Sequence, residues 1–388
     1  MSHARPWTVL ALLLALSCPA FAQLEPTITT SIRSEMRKFV DSGEISGAVA
    51  VVGDAKGTRG IAAVGRRDIE GDLPMEQDTL FRIASMTKPI TVLGIQMLVE
   101  EGKLSVDDPV EKHLPEFRGQ AMSGGSPKRP ALLRDLLTHT SGLAESPTFG
   151  AGEARPLNLD AAARAIAARP LSFEPGSKWS YSNAGIITLG RIIEVASGTG
   201  YEAFLKARIF DPLGMKDTTF YPDPDQMKRA AVAYDRKDGK LVAVASSRQA
   251  PDRASGYPNP AGGLFSTAPD LVKLDRMLVN GGELDGRRYL SRASLAEMTR
   301  VQTGDLKCGF TDGMGFGLGF GVVREPSGVT AMLAPGTFGH GGLYGTQSWV
   351  DPTKGRFAIL MIQRVGLNNG DQSPMRLAFQ KIAFGEGF

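Results

Sequence analysis

The sequence predicts an α+β fold: an antiparallel sheet flanked by helices, drawn from both ends of the chain, with a helical insert domain between them. Three observations carry the expectation. Short apolar runs bounded by glycine stand near the start, at 48–52 and 60–64. Apolar residues recur at helical spacing through most of 105–215. Beyond residue 317 the pattern returns to short apolar runs separated by turns and closes on one helical stretch. Strands at the two ends and helices in the middle fit a segregated sheet better than alternating β-α units.

Residues 28–42 carry the pattern of an amphipathic helix. Ala48-Val49-Ala50-Val51-Val52 and Gly60-Ile61-Ala62-Ala63-Val64 read as a two-stranded hairpin. Residues 85–102 read as a helix, with Pro89 near its start, where proline is tolerated. Helices joined by loops such as Gly124-Gly125-Ser126-Pro127 follow. The apolar helix at 186–196 stops at Ser197-Gly198, and another at 269–278 precedes Gly281-Gly282. Residues 317–323, 345–350 and 357–362 predict strands, and 375–382 the closing helix. The expected units are a leader (1–22), a discontinuous sheet domain (23–95 with 275–388) and a mostly helical domain (96–274).

The leader has a basic start (His3, Arg5), a short apolar run at 7–16, and Ala20-Phe21-Ala22 before Gln23. This pattern predicts a secretory signal peptide cut after Ala22, hence a periplasmic or secreted protein. The run is too short to span a hydrocarbon core of about 30 Å, so no stable membrane insertion is expected. After cleavage one cysteine remains, Cys308, which has no internal disulfide partner. A formal net charge of +3 with no basic run gives no footprint for a nucleic-acid partner.

The motifs narrow the chemistry. G-x-S-x-G, H-E-x-x-H and the phosphate-binding G-x-x-x-x-G-K-[ST] loop do not occur. No metal or organic cofactor is expected. Lys88 is the only lysine with a serine, Ser85, three residues before it. On a helix these positions share a face, so amine and hydroxyl can meet. Serine becomes a nucleophile when a base takes its proton, and lysine serves only if its ammonium is pushed to the neutral form. Taken alone, the pair reads as a helix cap and a solvated lysine.

Two further elements change that reading. Tyr181-Ser182-Asn183 stands at a loop-to-helix junction, where a phenol can relay a proton and an amide can hold a carbonyl or an amine. Tyr257-Pro258-Asn259 repeats the Y-x-N pattern inside a Pro/Gly loop, where a turn is the simpler account. Phe338-Gly339-His340-Gly341-Gly342-Leu343 leads a predicted strand, and its glycines permit close backbone approach.

In this order, S-x-x-K, Y-x-N and H-x-G resemble the serine β-lactamase and penicillin-binding protein group. The chain is most similar to the class C β-lactamase-like branch that includes family VIII carboxylesterases and DD-peptidases. Leu136-Leu137-Thr138-His139-Thr140-Ser141-Gly142-Leu143, Phe173-Glu174-Pro175-Gly176 and Ala261-Gly262-Gly263-Leu264-Phe265-Ser266-Thr267 support the resemblance, which runs from about residue 32 to the C-terminus.

The resemblance implies a β-lactamase/transpeptidase-like fold and an acyl-enzyme on Ser85, with Lys88 as base or tuner of the base and Tyr181 as proton shuttle. Asn183 would position Lys88 or the acyl carbonyl. The N–H groups of Ser85 and Leu343 would form the oxyanion hole, flanked by His340, Gly341 and Gly342. Many β-lactamases carry lysine where His340 stands. A histidine that titrates near neutrality makes a weaker anchor for a substrate carboxylate. Trp349, Phe338, Tyr344 and Met332 are candidates for an apolar acyl pocket. The leading expectation is an exported serine carboxylesterase with a small-molecule ester substrate. The alternatives are a DD-peptidase or weak β-lactamase acting on cell-wall peptides or β-lactams, and a non-catalytic sensor of cell-wall fragments.

Overall fold

The structure, a computed structural model, describes residues 24–122, 124–145, 156–367 and 370–385. The expected signal peptide, with Cys18, lies outside the described residues. Strands β1 (Gly47–Asp54) and β2 (Gly57–Asp68) form the expected hairpin, with Ala50 opposite Ala62. The Asp54 carboxylate closes the turn by accepting the N–H groups of Lys56 and Gly57 at 2.8 and 3.2 Å.

The remaining strands of the main sheet are β3 (Leu73–Pro74), β4 (Met314–Phe316), β5 (Gly321–Val323), β6 (Phe338–Gly341), β7 (Gln347–Asp351) and β8 (Arg356–Met361). Their spatial order is β4-β5-β6-β7-β8-β1-β2-β3, antiparallel throughout. Both ends of the chain therefore meet at the β8–β1 seam, where Val51 pairs with Ile359.

Alternation along the strands feeds two cores. Val49, Val51, Phe357 and Ile359 point into one, and Ala48, Ala50, Ala358 and Leu360 into the other. Because both faces are covered, these strands read as nearly continuous apolar runs. Helix α1 (Pro26–Asp41) covers the second face, burying Ile28, Ile32 and Met36 at four-residue spacing, beside the closing helix α5 (Pro374–Phe384).

Between the sheet and the helical part lies α2 (Thr87–Glu100), buried at every residue from Thr87 to Leu98. Alongside it runs α3 (Asn183–Ser197), whose ends follow local signals. Ser182 accepts the Gly185 N–H at 3.0 Å at one end, and Gly198 takes φ +69° at the other. Helix α4 (Ala268–Val279) packs on β8, β1 and β7. Helices α2 and α4 run across the expected boundaries after residues 95 and 274. Among the described residues no helix is long and apolar enough to cross a membrane.

Two expected strands are divided differently. Residues 317–320 make the turn between β4 and β5, and only 321–323 are strand, because Gly319 takes φ +77° and donates its N–H to Leu137 O. The histidine segment is a strand of its own, β6, separated from β7 by a turn through Gly345 at φ +81°. Glycine at alternate positions imitates strand periodicity while supplying the turn.

Beneath β6, His340 pairs across the ladder with Ser348, whose Oγ donates to the buried Asp275 carboxyl of α4 at 2.6 Å. Burial raises this carboxyl to about 7. The folded protein thus holds a proton that the unfolded chain releases near pH 4, so this contribution is complete below that pH and lost as pH rises through about 7. Between pH 4 and 8 the wild type should lose about 2–4 kcal/mol relative to Asp275→Asn, measured by urea unfolding at a series of pH values. Parallel pH curves for the two proteins would refute the assignment.

Candidate active site

The site is assembled on the lead-in to α2. Phe81–Arg82 pairs with Phe265–Ser266, and the Ile83 N–H continues the ladder to Leu264 O at 3.0 Å. The chain then turns sharply at Ala84, which takes φ +45° despite its Cβ. Thr87 holds this turn, donating its hydroxyl to Ala84 O at 2.7 Å and accepting the Leu264 N–H at 3.2 Å. A single 3-10 turn, Ala84–Met86, places Ser85 at the head of α2.

One turn on, Lys88 is fully buried. Its Nζ lies 2.9 Å from Ser85 Oγ, donates to Ala261 O at 2.6 Å, and stands 4.7 Å from the Tyr181 ring centre. No carboxylate is among these partners. Burial holds the amine well below the usual lysine range. The pair is therefore neither a helix cap nor a solvated lysine.

Tyr181 arrives from the loop before α3, and its phenol is hydrogen-bonded to Ser85. Burial raises the phenol's pKa, so the proton stays on oxygen at neutral pH. Ser85, Lys88 and Tyr181 are thus brought together. Asn183 opens α3, with its N–H donating to Glu145 O at 2.6 Å.

His139 is a component that motif reading passed over. It is buried with φ +61°, and its Nδ1 accepts the Ser182 N–H at 3.1 Å. Its carbonyl accepts the Ser180 N–H at 2.9 Å, and its ring lies 4.6 Å from that of Tyr181. The backbone on both sides of Tyr181 is therefore fixed by one residue. Burial, reinforced by Lys88, keeps this imidazole neutral. The only signal in the sequence was a histidine embedded in the apolar-to-glycine run Leu136 to Leu143.

Strand β6 forms the opposite wall. Gly342 passes so close to the lead-in segment that a Cβ there would lie 2.6 Å from Ile83 O, and Thr346 donates to the same oxygen at 3.3 Å. The turn carrying Leu343 is thereby held beside Ser85. Among the described residues the Leu343 N–H donates to no backbone carbonyl outside the helices and strands, and Leu343 is 69% exposed.

His340 meets Tyr181 ring to ring at 6.2 Å, and its Nδ1 lies 2.6 Å from Gly341 O. Burial and the neighbouring Lys88 lower its pKa to about 4. This corrects the expected titration near neutrality: the imidazole is uncharged across the physiological range. Between Tyr181 and β6 opens a narrow cleft lined by Phe310, Phe316, His340, Gly341 and Trp349. Of the acyl-pocket candidates, Trp349 lines this cleft, whereas Phe338 faces the opposite core and packs on Phe320 at 5.1 Å. Cys308 is buried and its thiol pKa is raised by burial, away from a reactive thiolate.

Known proteins resemble this chain along most of its length. The family model described as Beta-lactamase matches residues 32–381. Protein Rv1367c of Mycobacterium tuberculosis is 35% identical over 359 residues, covering 85% of this chain and 89% of the relative. Esterase EstB of Burkholderia gladioli is 33% identical over 402 residues, covering 94% and 99%. The solved structure of EstCE1, a hydrolase with promiscuous acyltransferase activity, superposes with a TM-score of 0.79 at 25% identity, covering 92% of this chain and 99% of that one. With an S-x-x-K serine against a buried lysine, on this sheet and with these relatives, the chain belongs to the beta-lactamase family of serine hydrolases and has the β-lactamase/transpeptidase-like fold.

Proposed function

We propose that the protein is an exported carboxylesterase working through an acyl-enzyme on Ser85. The observation that carries the reading is the buried Lys88 amine, kept off its charged form, 2.9 Å from Ser85 Oγ. Its lone pair takes the hydroxyl proton as Ser85 Oγ attacks the ester carbonyl. The Tyr181 phenol is protonated and bonded to Ser85, so it is a donor rather than a competing base. It passes a proton to the departing alkoxide and is refilled from Lys88. Water then attacks the acyl-enzyme, losing its proton to the same pair, and the acid leaves with Ser85 restored. The N–H groups of Ser85 and Leu343 face the developing oxyanion. Asn183 holds the acyl carbonyl or Lys88.

Ester is preferred over β-lactam or D-alanyl peptide because the uncharged His340 offers no fixed positive charge to a substrate carboxylate. An alcohol also leaves with less need of protonation than an amine. The similarity to Esterase EstB supports the same choice, and the N-terminal leader pattern supports export.

A short-chain p-nitrophenyl ester and a chromogenic cephalosporin should be offered to the protein side by side. Fast ester turnover, little β-lactam opening and loss of both in Ser85→Ala are expected, with Tyr181→Phe losing about 10²- to 10⁴-fold in rate. Rapid β-lactam opening, or stable penicillin acylation with poor ester turnover, would move the assignment to the lactamase or peptidase. Ester cleavage surviving in Ser85→Ala would remove Ser85 from the mechanism.

Lys88 gives a second test, on stability. The unfolded lysine is protonated up to about pH 10.4, whereas the folded amine is neutral well below it. Folding therefore expels a proton, which costs stability at neutral pH and costs less as pH rises. Lys88→Met should abolish turnover yet unfold about 1–2 kcal/mol later than wild type at pH 7, with the gap closing toward pH 10. A destabilised variant at pH 7, or a gap independent of pH, would mean that the amine is charged in the fold.

A further inference from the structure

We infer that Asp371 gives the leaving-group side of the cleft a negative sign, so that the enzyme rejects substrates whose leaving group carries a carboxylate and favours neutral and cationic ones. The inference rests on the carboxylesterase reading and concerns selection among its substrates.

Asp371 lies in the short turn Gly370–Gln372 that precedes α5. Its carboxylate presses on strand β6 at Gly341, where a Cβ would overlap Oδ1. Glycine at this position of H-x-G therefore makes room for an acid. Gln347 Nε2 donates to the same Oδ1 at 3.2 Å. Behind the acid sits Arg376, which stacks 4.2 Å over Trp349 and donates Nη1 to Asp371 O at 2.7 Å. Its Nη1 is 3.7 Å from Asp371 Oδ1. The pair is asymmetric: the Asp371 side chain is 23% exposed and that of Arg376 only 2%. Both residues line the cleft, and the negative end is the exposed one.

Asp371 lines the same cleft as Tyr181 and His340. Its charge is felt there, adding to burial in raising the Tyr181 phenol and partly offsetting the burial that lowers His340. Of the other ionisable groups on these walls, Tyr181 and His340 are uncharged at neutral pH, and Arg376 keeps its charge but is almost wholly buried, so the exposed charge that a substrate group entering the cleft meets is the Asp371 carboxylate. We place it on the leaving-group side because Tyr181, the residue that protonates the leaving oxygen, lines this cleft. A carboxylate there would face Asp371 with Arg376 screened behind it, and a cation would face an accessible carboxylate.

Three butyrate esters isolate the effect: those of 3-(carboxymethyl)phenol, its amide, and 3-(trimethylammoniomethyl)phenol. They share one acyl-enzyme, and the methylene insulates the ester from the substituent, so kcat/KM reads the charge. The wild type should turn over the carboxylate about five- to tenfold less well than the amide, and the cation better than the amide, as one partly screened charge allows. Raising the salt to about 0.5 M should narrow both ratios. Asp371→Asn should raise the carboxylate-to-amide ratio, because Arg376 then sets the sign. Equal turnover of all three by the wild type, or a preference for the carboxylate, would overturn the inference while leaving the esterase intact. Absence of turnover for all three would overturn the esterase reading and this one with it. The wild-type series and its salt dependence decide the matter even if Asp371→Asn folds poorly.

Discussion

The site depends on keeping a lysine dry. A free ammonium taken from water without a counter-ion is costly enough that the group sheds its proton instead. The protein enforces that result by surrounding Lys88 with the core rather than with acids. Helix α2 is buried from Thr87 to Leu98, so the amine cannot reach solvent along its own helix. The loop before Phe265 closes the remaining side, through Ala261 O to Lys88 and Pro260 O to the Thr91 hydroxyl at 2.8 Å. A carbonyl binds an amine without stabilising its charge as a carboxylate would. The left-handed turn at Ala84 belongs to the same arrangement: it points Ser85 back at Lys88 and is fastened by Thr87 and Leu264.

That dependence explains which parts could be read from the chain. The β1–β2 hairpin, the caps of α3 at Ser182 and Gly198, and the meeting of Ser85 with Lys88 are set within a few residues, so local patterns reveal them. The partners that make the site work are remote. Ala261 is 173 residues from Lys88, and the contact uses a backbone carbonyl that any residue type could supply. His139 reaches Ser182 across 43 residues, and nothing beside it in sequence marks it as a support. The strand expected at 317–323 begins only at Gly321 for a local reason, since glycine both imitates alternation and makes turns. His340 was placed correctly on a strand wall, but its charge state is a property of burial and of Lys88, which the chain alone does not display.

Three ionisable groups of the site share one feature. Lys88 and His340 are pushed toward neutral by burial, and Tyr181 is held neutral by the same cause. Burial thus works against formal charge next to the nucleophile at rest, while under the proposed mechanism the protons that acylation and deacylation move are already in the Ser85–Lys88–Tyr181 cluster. Charge appears only as the reaction proceeds, negative on the carbonyl oxygen and positive on the amine that takes the serine proton. In a dry site these two develop within one another's field, where their attraction is stronger than in water. A fixed cation at His340 would change that balance twice. It would stabilise a substrate carboxylate before reaction, and it would oppose protonation of Lys88 during it. The neutral imidazole avoids both effects, at the loss of a grip on anionic substrates. Under the proposed function, a site organised this way suits an uncharged acyl group whose leaving oxygen takes one proton from Tyr181, as a simple ester does.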